Sequence, residues 1–137
     1  MLDIIDETLE VIQRGGVILY PTDTIWGLGC DPFDQEAIDK ILQLKNRESE
    51  KAFILLVNSV DMLKEYIVRL HPRVETLLSY HKRPLTIVYD NPTNLPTSII
   101  AKDGTIGIRI TTDPFCKHFI DRLGKPLIST SANVSGQ

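Results

Sequence analysis

The sequence Val-Ile-Leu-Tyr-Pro-Thr-Asp-Thr-Ile-Trp-Gly-Leu-Gly, residues 17–29, joins a short apolar run to a polar turn. The run at 17–20 is typical of a strand buried on both faces of an α/β sheet. The turn places two threonines and an aspartate before the tryptophan and two glycines. Proline and aspartate are common turn formers, whereas threonines beside glycines that admit a ligand close to the backbone favour a binding loop at 20–29. The residues alone leave both interpretations open.

Helical and strand patterns alternate on both sides of this stretch. Before it, apolar residues at helical spacing predict a helix that ends at Gly15-Gly16. After it, helices are predicted to begin near Asp34, near Asn58 or Ser59, near Pro72 and near Asp113. Strands are predicted at 53–57, 84–89, 105–110 and from 126 onward, and an exposed loop at 91–104. This alternation predicts an α/β sandwich with a mixed sheet, in a single domain of residues 1–137.

Composition excludes several classes of protein. The 137 residues are 42% hydrophobic and 24% charged, which suits a globular domain with a proper core. No stretch approaches the roughly 20 apolar residues of a membrane span, and the acidic N-terminus lacks a signal-peptide pattern. Cys30 and Cys116 form no C-x-x-C pair, so we expect buried free thiols, no metal site and a cytoplasmic location. A net charge of −3 argues against broad adhesion to nucleic acid, although a local basic cleft remains possible.

Three cations follow the predicted second helix closely, namely Lys45, Arg47 and Lys51. Cations at a helix C-terminus are favourable by roughly 0.3–1 kcal/mol, so capping is one interpretation. A phosphate clamp is the other, because arginine grips phosphate bidentately and lysine adds a point charge. Both interpretations stay open at this point.

Two polar side chains lie inside apolar strand patterns. Thr86 fits a half-buried strand threonine as well as a binding hydroxyl. Arg109 lies between Ile108 and Ile110 and needs a partner, because unpaired burial of a guanidinium is costly. An internal acid and a substrate carboxylate are both candidates for that partner.

The last segment, Ser-Thr-Ser-Ala-Asn-Val-Ser-Gly at 129–136, carries five hydroxyl or amide side chains after a strand. Such a turn offers donors to phosphate or carboxylate oxygens through side chains and backbone N–H groups. A serine-rich surface turn at a chain end is the alternative.

Five motifs taken together resemble the Sua5/YciO/YrdC family, whose enzymes make threonylcarbamoyl-AMP. They are Tyr-Pro-Thr-Asp-Thr-Ile-Trp-Gly-Leu-Gly-Cys-Asp at 20–31, Lys-x-Arg at 45–47, Pro-Leu-Thr at 84–86, Thr-Ile-Gly-Ile-Arg at 105–109, and the serine-rich segment at 129–136. The resemblance runs from about residue 15 to the last residue and keeps the order of the motifs.

The resemblance implies a twisted, mixed open sheet flanked by helices, the YrdC-like fold, with a large basic cleft. It implies a nucleotidyltransferase that uses ATP with Mg²⁺, L-threonine and bicarbonate in the threonylcarbamoyladenosine modification of tRNA. The implied partners are these small molecules together with tRNA or tRNA-modification proteins, and no membrane. No protein residues are assigned as metal ligands.

Family roles carry over onto matching positions of this sequence. Those implied to bind ATP are Lys45, Arg47, Thr86, Ser131 and Asn133, of which Lys45 and Arg47 are also the implied catalytic residues. Those implied to bind threonine are Thr24, Arg109 and Ser129.

The chain departs from the family pattern in three places. Asn46 and Glu48 flank the clamp where many members have glycine and proline. The next strand, which begins Ala52-Phe53, lacks a histidine near its end and is more similar to the YciO branch. Family members also continue through at least one more strand and helix, which the resemblance implies are missing here. A non-catalytic ATP- or ligand-binding module of the same fold and an RNA-binding module are therefore kept as alternatives.

Overall fold

The computed structural model describes residues 2–21, 26–44, 53–80 and 85–131, which form a sheet with helices on both faces. The helices are α1 (Leu2–Gln13), α2 (Gln35–Leu44), α3 (Val60–Leu63), α4 (Pro72–Tyr80) and α5 (Pro114–Leu123), with a 3-10 turn at Thr97–Ile99. The strands are β1 (Ile18–Pro21), β2 (Trp26–Cys30), β3 (Ile54–Val57), β4 (Thr86–Tyr89), β5 (Ile106–Ile110) and β6 (Leu127–Ser131).

The six strands lie in the order β1-β2-β6-β3-β5-β4. β3 and β5 are parallel, and the other neighbouring pairs are antiparallel. The predicted mixed sheet flanked by helices is therefore confirmed. β1 and β4 form the two edges of the sheet.

The stretch at 20–29 is a hairpin rather than a single loop. Pro21 of β1 pairs with Trp26 of β2, and residues 22–25 between them lie outside the described part of the chain. The expectation that β1 is buried on both faces is wrong, since Leu19 is 61% exposed and, within the described sheet, β1 pairs with β2 alone. A short apolar run does not distinguish an edge strand from a central one, because its neighbours come from distant parts of the chain.

Helix ends agree closely with the sequence pattern. Carboxylate or hydroxyl oxygens of Asp34, Ser59 and Asp113 accept hydrogen bonds from backbone N–H groups three residues later, at 3.2, 3.1 and 2.9 Å. Gly15 and Gly124 follow α1 and α5 with φ of 84° and 78°, a conformation that only glycine adopts cheaply. Each predicted helix start and stop at these positions is confirmed.

Each face of the sheet carries its own apolar core. On one face, α2 and α3 pack against the central strands through residues such as Ile38, Leu63 and Ile108. On the other face, α1 and α5 pack over Leu56 and Leu127. Full burial of one such side chain contributes about 1.5–3 kcal/mol, so the two layers fix the sheet from both sides.

Further predictions concern the cysteines, the loop at 91–104 and membrane-spanning helices. Cys30 and Cys116 are buried free thiols, as predicted. The loop at 91–104 is less exposed than predicted, because Ile99 of the 3-10 turn is buried in the first core. Among the helices of the described ranges, none has the length and apolar character needed to cross a membrane.

Candidate functional site

Three of the motif segments adjoin the same end of the sheet. β1 ends and β2 begins there, as the pairing of Pro21 with Trp26 requires. β6 ends there with Ser131 opposite Gly27, and β3 begins there with Ile54 opposite Ser129. The described chain thus brings the borders of residues 22–25, 45–52 and 132–137 to one edge of the fold.

Four of the predicted site residues belong to those segments and lie outside the described residues, namely Thr24, Lys45, Arg47 and Asn133. Ser131 is described through its backbone, at the end of β6. Their shared site remains a prediction, and the connectivity of the sheet is compatible with it. The basic character of the predicted cleft rests on Lys45 and Arg47 and also stays a prediction.

The other predicted residues lie on one face of the sheet. Thr86 of β4 is directly opposite Arg109 of β5. Ser129 of β6 is opposite Ile54, which is in turn opposite Gly107, two residues before Arg109. Residues opposite one another, and residues two apart on a strand, share a face, so Thr86, Arg109 and Ser129 point to the same side. From ordinary strand spacing, the Cα atoms of Arg109 and Ser129 are about 12 Å apart.

Thr86 and Arg109 are in direct contact. The Nε–H of Arg109 donates to Oγ1 of Thr86 at 2.7 Å, and both residues are half-buried. The strand register thus supplies one partner of the guanidinium, a threonine hydroxyl. A hydrogen bond to a charged group contributes about 1.5–3 kcal/mol, with the lower end suited to a half-exposed pair.

This face is covered at one side and open at the other. α1 and α5 cover it around Leu56 and Leu127. Ser129 is buried, whereas Val88 of the edge strand β4 is 66% exposed.

Gly107 lies within the Thr-Ile-Gly-Ile-Arg motif, and the sequence alone assigned no role to it. A Cβ atom placed on it would lie 3.1 Å from Cγ2 of Thr86 and 3.9 Å from Cγ1 of Ile54. The signal was present in the sequence, because a glycine inside the β-branched run at 105–110 often marks close approach of another group.

An ion pair stabilises the opposite end of the sheet. Nζ of Lys125 lies 2.7 Å from Oδ2 of Asp31, whose other oxygen accepts the N–H of Phe33 at 2.8 Å. The pair joins the end of β2 to the turn before β6. Asp31 is part of the 20–31 motif, and in this structure its contacts are structural.

The thiol of Cys30 is poorly suited to nucleophilic chemistry. Burial, followed by the negative charges of Asp31 and Asp34, raises the pKa of Cys30 from 9.0 to about 12. The thiolate, which is the reactive form, is therefore scarce at neutral pH. His71 and His118 are exposed, as predicted, and His81 lies outside the described residues.

The described residues include no group of three or more His, Cys, Asp and Glu side chains arranged to hold a metal ion. The chemistry available on the described face is therefore that of one guanidinium and several hydroxyls. Such a set recognises an anionic group such as a carboxylate or phosphate.

Comparisons with known proteins agree with this fold. The Sua5/YciO/YrdC family model, described as "Telomere recombination", matches residues 10–137. A protein named threonylcarbamoyl-AMP synthase from Pseudoalteromonas translucida (strain TAC 125) is 36% identical over 133 residues, which are 94% of this chain and 71% of the relative.

Two solved structures are similar as well. The crystal structure of Escherichia coli YciO superposes with a TM-score of 0.88 at 25% identity, covering all of this chain and 67% of that one. The crystal structure of P. abyssi Sua5 complexed with L-threonine superposes with a TM-score of 0.86 at 25% identity, covering 97% of this chain and 39% of that one. Motifs, fold and identity over most of the chain agree, and the chain belongs to the Sua5/YciO/YrdC family.

Proposed function

We propose that this chain is a threonylcarbamoyl-AMP synthase, a nucleotidyltransferase that forms threonylcarbamoyl-AMP and pyrophosphate from L-threonine, bicarbonate and ATP. The observation that carries the proposal is the hydrogen-bonded pair of Arg109 and Thr86 on the open sheet face. It occurs in a chain that is 36% identical to a protein named for this activity. We further propose that residues 1–137 act as one domain, in the cytoplasm, and that the product serves tRNA modification.

The amino acid would lie over the face that carries Arg109 and Ser129. The bond from Nε to Thr86 fixes the plane of the guanidinium, whose terminal nitrogens are the pair that grips a carboxylate bidentately. We place the threonine carboxylate there, with the hydroxyl of Ser129 and the side chain of Thr24 as further contacts. Support comes from the similarity to a Sua5 structure solved with L-threonine.

The triphosphate would lie at the end of the sheet that the segments at 45–52 and 132–137 adjoin. Lys45 and Arg47 would neutralise phosphate charge, and Ser131 and Asn133 would add hydrogen bonds. The family resemblance also assigns Thr86 to ATP, but Thr86 lies opposite Arg109, away from that end of the sheet. We therefore assign its hydroxyl to holding Arg109 beside the amino acid.

Two steps then suffice. The threonine amine and bicarbonate form a carbamate with release of water. A carbamate oxygen attacks the α-phosphorus of ATP in line, and the bond to the β-phosphate breaks, so pyrophosphate leaves with its electron pair. Lys45 and Arg47 would stabilise the charge on the leaving group, while Arg109 holds the amino acid in line. Positioning and electrostatic stabilisation would supply the acceleration.

Mg²⁺ fits this scheme on the substrate rather than on the protein. The described residues offer no carboxylate cluster for it, and the residues proposed for the nucleotide carry hydroxyl, amide and cationic groups. Magnesium commonly binds through substrate phosphates and water with few protein ligands. We therefore assign it to the triphosphate and route no step through it.

The direct test is pyrophosphate release from ATP, with threonine, bicarbonate and ATP each omitted in turn. We expect pyrophosphate release only when all three substrates are present. Unchanged pyrophosphate release without threonine would contradict the proposal. Arg109→Lys keeps the charge but loses the planar fork, so we expect a raised KM for threonine with the KM for ATP little changed. Arg73→Lys, on the exposed part of α4, is the matched control.

A non-catalytic ligand-binding module of the same fold is the second candidate, because the residues that flank the proposed clamp and the strand that follows it depart from the synthase pattern. Such a module would bind ATP or threonine in calorimetry and release no pyrophosphate with all substrates present. That combination of results would replace the synthase proposal.

A further inference from the structure

Gly107 occupies a strand position that does not need the backbone freedom of glycine. The described glycines with positive φ are Gly15, Gly104 and Gly124, and Gly107 is not among them. Glycine weakens the interior of a strand, because it loses much conformational entropy and offers no side chain to pack. Its presence in the middle of β5 therefore calls for another reason.

The space above Gly107 is filled by a neighbouring side chain. Cγ2 of Thr86 lies so close that a Cβ on residue 107 would be 3.1 Å from it. Threonine is β-branched and stiff at χ1, so its methyl and hydroxyl move together. The position of the Thr86 methyl therefore determines where its hydroxyl points.

We propose that Gly107 is a positioning residue for Arg109, acting through Thr86. The missing side chain lets the Thr86 methyl lie over β5, and this rotamer brings the hydroxyl to 2.7 Å from Nε of Arg109. A side chain at 107 turns or displaces Thr86 and loosens the guanidinium. The consequence for threonine binding rests on the proposed function, whereas the consequence for Arg109 itself does not.

The neighbourhood can yield without unfolding. Thr86 is half-buried on β4, which among the described strands pairs with β5 alone. The other neighbour, Ile54, is at an ordinary contact distance of 3.9 Å from the added Cβ. We therefore expect Gly107→Ala to fold with nearly unchanged stability, since the better strand propensity of alanine offsets the tight contact.

A double-mutant cycle tests the inference, with Gly107→Ala, Thr86→Ser and the combination of both. Thr86→Ser removes the methyl and keeps the hydroxyl. The first readout is the Arg109 Nε–Hε resonance of the unliganded protein in ¹⁵N NMR, and the second is threonine affinity by calorimetry. We expect Gly107→Ala to shift the resonance and to weaken affinity about tenfold, as for loss of one hydrogen bond to a charged group at the lower end of its range. In the Thr86→Ser background, Gly107→Ala should change neither the Arg109 resonance nor the threonine affinity.

Thr86→Val is the matched control, because it keeps the methyl and removes the hydroxyl. It should reproduce the effect of Gly107→Ala on both readouts. The inference would be overturned if Gly107→Ala left the Arg109 resonance unshifted. It would also be overturned if Gly107→Ala had the same effect in the wild-type and Thr86→Ser backgrounds. If the wild-type protein binds no threonine, the proposed function fails, and the NMR comparison still decides the role of Gly107.

Discussion

Raising the pH above 9 should destabilise this fold through a buried thiol. Burial, with added repulsion from Asp31 and Asp34, raises the pKa of Cys30 from 9.0 to about 12. Between these two values the unfolded chain has released the thiol proton while the folded chain keeps it. The unfolded state then binds fewer protons, so the free energy of unfolding falls as pH rises.

The size of the effect follows from the two pKa values. One pKa unit corresponds to about 1.4 kcal/mol, so a thiol that titrates at 9.0 when unfolded and near 12 when folded costs about 1–2 kcal/mol by pH 10. Lysines and tyrosines also begin to titrate there, and burial raises the pKa of Tyr89 to about 12 as well. The contribution of Cys30 is therefore best isolated as a difference between two proteins.

Urea denaturation of wild type and Cys30→Ala at half-unit steps from pH 7 to 10.5 provides that difference. The free energy of unfolding of the wild type, minus that of Cys30→Ala, should fall by about 1–2 kcal/mol between pH 8 and 10. Tyr80→Phe, at a residue that is 80% exposed, is the control and should run parallel to wild type. Parallel curves for wild type and Cys30→Ala would refute the reasoning.

Two further predictions concern charged side chains. Lys45→Ala combined with Arg47→Ala should weaken ATP binding by at least tenfold in calorimetry while leaving the fold intact, and retained ATP affinity would contradict the phosphate clamp. Lys125→Ala should lower the free energy of unfolding by about 1–3 kcal/mol, because Asp31 is only 14% exposed and loses its cation. Lys64→Ala breaks an exposed pair with Glu75 and should cost less than 1 kcal/mol in the same urea assay, so equal losses would contradict the second prediction.

Features of this fold that have a local cause could be predicted from the sequence. Asp34, Ser59 and Asp113 cap helices through N–H groups three residues away, so their signals lie within a few positions. The alternation of strands and helices likewise predicted the α/β sheet, since burial periodicity is set within each element.

Features that depend on the register between distant strands could not be predicted from the sequence. Thr86, which accepts the hydrogen bond from Nε of Arg109, is 23 residues away, on a strand whose alignment no local pattern specifies. The edge position of β1 has the same origin, because only the full strand order shows that nothing pairs beyond it in the described sheet. The family motifs marked both Thr86 and Arg109 as binding residues, but they did not predict the hydrogen bond between the two side chains.

The core of the opposite face is what holds Arg109 in place. Ile106 and Ile108 precede Arg109 in β5 by three residues and by one residue, and they are 3% and 2% exposed, packed under α2 and α3. Because strand side chains alternate, a slip of one residue would expose both isoleucines and drive the guanidinium into the apolar core. The lost burial alone would cost about 3–6 kcal/mol, before any penalty for the buried charge. The site is thus specified by residues that never touch a substrate: the isoleucines determine which way Arg109 faces, and Thr86 then fixes its orientation.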